Sequence, residues 1–127
     1  MKVRIIDSII SESKNEERTV RNSLIRLIQH MLKLKYQNDY PYKRSWILTI
    51  KQEQDQIINE FPIIGKGSLY KSYYMKKLDL DKIYDMAKEY AIIETDLPRN
   101  AFPNLCEWSK EQLIDKNYIN SFIEEYK

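Results

Sequence analysis

Glycine is nearly missing from this chain: 127 residues include two, alongside four prolines, one cysteine and one histidine. Glycine and proline punctuate strand-and-turn architectures, so their scarcity argues for long helices. The lone Cys106 has no partner within the chain, which excludes an internal disulfide and suits a reducing compartment. The lone His30 has no second histidine or positioned cysteine, and no Glu-x-x-His spacing, so it does not make a metal set. No apolar run is long enough to span a bilayer. The opening Met1-Lys2-Val3-Arg4-Ile5-Ile6-Asp7 meets an acid too early for a signal peptide. The expectation is a cytoplasmic protein without membrane contact, metal or cofactor.

What is present supports one helical domain spanning residues 1–127. A chain of this length buries roughly two-thirds of its unfolded surface, so it needs no disulfide or metal to fold. Charge is distributed unevenly: residues 1–51 carry eleven Lys/Arg against five Asp/Glu, and residues 52–127 carry ten against fourteen. The asymmetry suits either a solvated surface or a basic face turned toward an acidic partner.

The hydrophobic pattern is helical throughout. Residues 2–37 read as one or two helices: Ile5, Ile6, Ile9 and Ile10 mark a face, a polar stretch from Ser11 to Arg18 follows, and Val20, Leu24, Leu27, Ile28, Met31, Leu32 and Leu34 then recur at helical spacing. Asn38-Asp39-Tyr40-Pro41 ends this segment, because Pro41 pushes Tyr40 out of the helical region. A second helix from about Ser45 to Phe61 buries Trp46, Ile50, Ile57, Ile58 and Phe61, faces water with Lys51, Glu53, Asp55 and Glu60, and stops at Pro62. Trp46-Ile47-Leu48-Thr49-Ile50 also suits a strand by propensity, but the polar Lys51–Glu60 stretch closes no hairpin. After the loop holding Gly65 and Gly67, Ser68 caps a third helix carrying Leu69, Tyr73 and Leu78. Asp79-Leu80-Asp81 kinks it or caps a continuation, whose Ile83, Tyr84, Ala87, Tyr90 and Ala91 run on to about Thr95. A short last helix begins at Ser109, where Ser109 and Gln112 form a capping box and Trp108 and Leu113 a hydrophobic staple. The fold expected is all-α, a compact bundle of four to five helices.

Four stretches carry a family resemblance. They are Leu27-Ile28-Gln29-His30-Met31-Leu32-Lys33 with Tyr36-Gln37; Arg44-Ser45-Trp46 with Thr49-Ile50 and Gln54; Tyr84 to Ala87 with Ala91, Glu94-Thr95 and Leu97-Pro98; and Phe102-Pro103, Cys106, Trp108-Ser109, Glu111-Gln112-Leu113 and Asp115. In this order they resemble the bacterial family known as domain of unknown function 29. The resemblance implies an all-helical fold and no reaction. It also implies a further helical segment ahead of the one that opens this chain, and a proline where Glu107 stands. Without that segment, the expectation is either that Ile5, Ile6, Ile9 and Ile10 find another partner, such as a second copy of the chain, or that the protein is a shortened relative.

Candidate sites divide into three classes. His30, Tyr36, Arg44, Trp46 and Glu94 are the candidates for an interaction surface or pocket. His30 there is either a structural imidazole or a general base, and His30, Arg44 and Trp46 would line an enzyme pocket between the first two helices. Lys33, Lys35, Lys43, Arg44, Lys66, Lys71, Lys76 and Lys77 are the candidate anion or nucleic-acid contacts. They are interleaved with tyrosines over residues 33–46 and 66–77, and residues 61–78 contain no acid. Gly65-Lys66-Gly67-Ser68 lacks the spacing of a phosphate-binding loop and has no strand before it. Cys106 sits beside Glu107, which disfavours the thiolate a nucleophile needs, so a packing role is expected. The leading functional expectation is a non-catalytic module that binds another protein or its own copy. The alternative is a nucleic-acid-associated regulatory factor, and an enzyme ranks third.

Overall fold

A computed structural model describes residues 2–39, 41, 43–63 and 76–127, with side chains described for 17–39, 41, 43–59 and 76–127. Those residues form five α-helices and one short 3-10 turn, with no strand among them. The helices are α1 (Lys2–Tyr36), α2 (Lys43–Ile63), α3 (Leu80–Thr95), α4 (Lys110–Leu113) and α5 (Lys116–Tyr126), and the 3-10 turn covers Arg99–Ala101. The expected all-α bundle is what the chain builds. The expectations for Ile5, Ile6, Ile9, Ile10, Tyr40, Phe61, Lys66, Ser68, Leu69, Lys71 and Tyr73 lie outside the described residues and side chains.

α1 is one continuous helix and the centre of the fold, with α2 and α3 both packed on it. The stripe from Val20 to Leu34 has almost no exposed surface. Burial goes further than the stripe: between Ser23 and Leu34 only Arg26 and His30 escape it. A helix enclosed on nearly every side must bury polar positions too, and Ser23, Gln29 and Lys33 are the ones enclosed. Each fully buried Leu, Ile or Met contributes about 1.5–3 kcal/mol, so this half of α1 dominates the hydrophobic stabilisation.

The chain turns where Asn38-Asp39-Pro41 predicts. Asn38 Nδ2 donates to the Leu34 carbonyl at 3.2 Å, satisfying an acceptor left free at the end of α1, and also to the Tyr126 carbonyl. α2 then begins two residues earlier than expected and extends to Ile63, with Pro62 inside its last turn. Its inner face holds Trp46, Ile50, Gln54 and Ile57. Glu53, expected to face water, is instead drawn to Arg26 of α1 (Nε to Oε1 3.1 Å).

Asp79 settles the choice between a kink and a cap. It has extended dihedrals, and its carboxylate accepts from the Lys82 amide at 3.2 Å, so it caps α3 as a new helix. Asp96, in the left-handed region at φ 57°, ends that helix while its N–H still bonds the Ile92 carbonyl. Asp tolerates this conformation better than most non-glycine residues, and Pro98 then prevents continuation. Along α3, Ile83, Tyr84, Ala87, Lys88, Ala91 and Thr95 are buried. Tyr90 departs from the expected inner face and is exposed. The last helix is in fact two. The Ser109–Gln112 capping box is formed in both directions, but α4 lasts one turn, and Asp115 then caps α5 by accepting from the Asn117 and Tyr118 amides. Ile119, Phe122 and Ile123 seat α5 on the core, a pattern the short stretch after Asp115 carries but the sequence reading leaves unassigned.

Candidate functional site

Three helices meet at a polar cluster near the C-terminal end of α1. Gln29 and Lys33 lie one turn apart on α1, and both are buried. Glu94, in the last turn of α3, reaches across to both: its Oε1 accepts from Gln29 Nε2 and its Oε2 from Lys33 Nζ. Trp46 in the first turn of α2 places its ring 4.8 Å from the same ammonium. The Lys33 side chain is 7% exposed and the Glu94 side chain 45%, so a buried cation is held by a carboxylate with its back to water. One turn further, Gln37 Nε2 donates to the Thr95 carbonyl at 3.5 Å. These bonds pin the C-terminal ends of α1 and α3 side by side.

His30 is next to this cluster but turned away from it. Its Nδ1 is 2.7 Å from the Arg26 carbonyl one turn back. A carbonyl only accepts, so Nδ1 carries the proton and the neutral ring keeps its lone pair on Nε2. Burial lowers the His30 pKa from its ordinary value; Lys33 pushes the same way, while the Arg26 carbonyl and Glu94 oppose it. Arg44 lies exposed on the first turn of α2. The structure therefore brings together Gln29, Lys33, Trp46 and Glu94, with His30 beside them and Arg44 apart. Among the described residues no three His, Cys, Asp or Glu side chains are grouped as a metal requires.

A second cluster fixes the segment between α3 and α4. Glu107 takes a hydrogen bond from Tyr36 Oη at 2.8 Å and pairs with Lys35 Nζ at 2.9 Å. Phe102 packs edge-on against Tyr36 with centroids 5.6 Å apart. The Pro103 carbonyl accepts from Tyr84 Oη at 2.6 Å and from the buried Lys88 Nζ at 3.2 Å. Cys106 Sγ donates to the Trp108 carbonyl at 3.3 Å, and Trp108 sits edge-on to Phe122. Burial, joined by Glu107 and Asp81, pushes the Cys106 thiol up and away from a reactive thiolate. Burial likewise raises Tyr84, with Cys106 and Tyr36 nearby adding to it.

The basic candidates are scattered. Lys33 faces inward, and Lys35 is bound to Glu107. Lys43 is half-buried and donates to the Asn38 carbonyl at 3.1 Å. Arg44, Lys76 and Lys77 are exposed. Lys66 and Lys71 are outside the described residues.

A shallow groove of about 330 Å³ that no sequence pattern announced runs between α1 and α3, lined by Asn22, Ile25, Arg26, Met86 and Tyr90. Met86, Tyr90 and Ile93 are large apolar residues that α3 leaves exposed, Ile93 by 73%. Their spacing of four and three places them on one stripe. The signal was available in the sequence, but on α3 an exposed apolar stripe and a buried one share the same period.

The family model described as Domain of unknown function DUF29 matches residues 3–119. The chain belongs to that family. Comparison with curated proteins and with solved structures gives no match. Some of the DUF29-like residues singled out in the sequence take part in the two polar clusters and the α4 cap: Gln29, Lys33, Tyr36, Trp46, Tyr84, Glu94, Cys106, Trp108, Ser109 and Gln112. Among the described residues no helix is long and apolar enough to cross a membrane.

Proposed function

We propose that this chain is a single-domain, non-catalytic interaction module that binds another protein or a second copy of itself. The observation carrying this reading is the exposed apolar stripe Met86–Tyr90–Ile93 beside the α1/α3 groove. Apolar side chains gathered on one exposed face, unlike singly scattered ones, suit a contact surface. Two of the polar residues that a catalytic reading would recruit are instead joined to neighbours. Glu94 is taken by Lys33 and Gln29, and the His30 proton by the Arg26 carbonyl. Reaction chemistry needs a nucleophile or base facing a place where substrate sits, and neither Cys106 nor His30 faces the groove.

The nucleic-acid alternative draws on the same lysines that the fold employs. With Lys33 enclosed and Lys35 on Glu107, the candidate contacts left exposed among the described residues are Arg44, Lys76 and Lys77, short of the continuous track that phosphate binding favours. Size-exclusion chromatography with light scattering, paired with affinity capture using the tagged chain, tests the main reading. A stable self-assembly or a stoichiometric protein partner is expected. A monomer without a partner that shifts DNA or RNA at low ionic strength would replace this reading with the alternative.

A further inference from the structure

We infer that the occupant of the α1/α3 surface is a second copy of this chain, bound through a two-fold axis parallel to α3 so that the two α3 stripes lie against each other in the same direction. This rests on the interaction reading above and names its partner.

Glu94 marks the edge of α3 nearest α1, since it bonds Gln29 and Lys33. Going around α3 from that edge at 3.6 residues per turn, the exposed positions come in the order Glu94, Tyr90, Met86, Ile93, Lys82, Glu89, Asp85, Asp81. The apolar stripe therefore lies in the middle, with Glu89 and Asp85 on the flank away from α1. On the other side of the groove α1 presents Arg18, Asn22 and Arg26, four residues apart and all exposed. Across this face the surface thus runs basic, apolar, acidic. Lys82 dilutes the acidic flank, and Arg26 and Glu89 each share their charge with a neighbour, Glu53 and Arg99. The sign difference between the two edges remains, because Arg18 and Asp85 join no ion pair among the described residues.

A two-fold interface must be complementary to itself. Rotation about an axis parallel to α3 sets the α1 edge of one copy opposite the α3 flank of the other, bringing plus to minus on both sides of a shared apolar centre. Rotation about an axis across the helices would oppose like charges. The pattern thus selects the occupant and its direction together: an unrelated partner would need to reproduce this basic–apolar–acidic order in reverse, which a second copy carries already.

The test uses the full chain, sedimentation velocity and light scattering across a concentration series. Wild type is expected to form a dimer, and Ile93→Glu to weaken it by about tenfold or more, as for a central contact. Arg18→Glu with Asn22→Glu makes both edges acidic, and Asp85→Lys with Glu89→Lys makes both basic; each double variant is expected to be monomeric alone. Mixed one to one, the two are expected to form a heterodimer, a recovery that misfolded chains do not give. Circular dichroism checks that each variant is folded. Failure of the mixture to associate overturns the inference. A dimer indifferent to Ile93→Glu overturns this surface while leaving the interaction reading intact. A monomeric wild type that holds a stoichiometric foreign protein, lost on Ile93→Glu, sustains that reading and overturns the second copy. A wild type that is monomeric and partnerless overturns both.

Discussion

Lys33 and Lys35 stand two residues apart on one helix and each pairs with a glutamate more than sixty residues away, yet they serve different ends. Lys33 is 7% exposed, and its ammonium sits between Glu94, whose other oxygen is held by Gln29, and the Trp46 ring. Lys35 is 27% exposed and meets Glu107 at the edge of the fold, with Tyr36 sharing the same carboxylate. Taking an ammonium out of water is costly, so the inner pair chiefly specifies which faces of α1, α2 and α3 meet. The outer one keeps more contact with solvent and acts as a strap on the 96–109 segment. The same residue types thus give specificity inside and modest fastening outside.

The contrast breaks hardest at Glu94. Glu94→Ala leaves the Lys33 charge buried without its carboxylate, and is expected to cost about 2–3 kcal/mol, below the range for fully enclosed pairs because half of Glu94 is in water. Lys33→Met removes the charge and keeps the volume, so it is expected to cost less than Glu94→Ala. Urea midpoints at constant m-value measure both, and the reverse order would mean that burial of the charge is not what matters there. At the outer cluster, Glu107→Ala is expected to lower stability by about 1 kcal/mol, since its partners remain hydrated.

Titration sharpens the comparison. Tyr36 is pushed up to about 12, by burial first and then by Glu107. Lys35 is raised as well: burial opposes the rise, but the hydrogen bond and charge of Glu107 outweigh it. Both groups hold their protons more tightly when folded, so their contribution is fully present below pH 10 and is lost as pH climbs toward 12. Denaturation between pH 9 and 11.5 is expected to show a shallower alkaline decline in Tyr36→Phe than in wild type. The smallest effect concerns His30. Its lowered value means that the unfolded chain binds the proton more readily, so the stability it contributes is present above pH 6.5 and falls away as pH drops below that. Comparing wild type and His30→Gln at pH 7.5 and 5.5 should show a smaller acid loss in the variant.

Much of the frame was legible in the sequence. The Val20–Leu34 stripe, the turn at Asn38-Asp39-Pro41 and the Ser109–Gln112 box are local patterns, and local patterns survive without knowledge of neighbours. Asp79 was recognisable as a kink or a cap, and only its dihedrals decided. The candidate site was half legible. Trp46, Tyr36 and Glu94 were identified as candidates, but their partners were not, because Gln29–Glu94 and Lys35–Glu107 join residues 65 and 72 positions apart. Lys33 reads as a surface cation by type, and only the enclosure of α1 by two other helices turns it inward. Tyr90 shows the opposite error: it has the period of a core residue, yet it lies at the open rim of the α1/α3 groove and is exposed. α5 went unassigned because its three apolar anchors follow a one-turn helix too closely to stand out.

The sequence by itself determined that this chain is helical, where the Ser109–Gln112 box caps a helix, and which greasy stripe of α1 lies at the centre. Those properties depend on backbone preferences and spacings within a few residues. Tertiary structure alone decided which charges are swallowed, which carboxylate answers which lysine, and which apolar stripe is left facing water. Burial is a property of what comes to lie alongside, and a residue's own neighbours in sequence do not specify that.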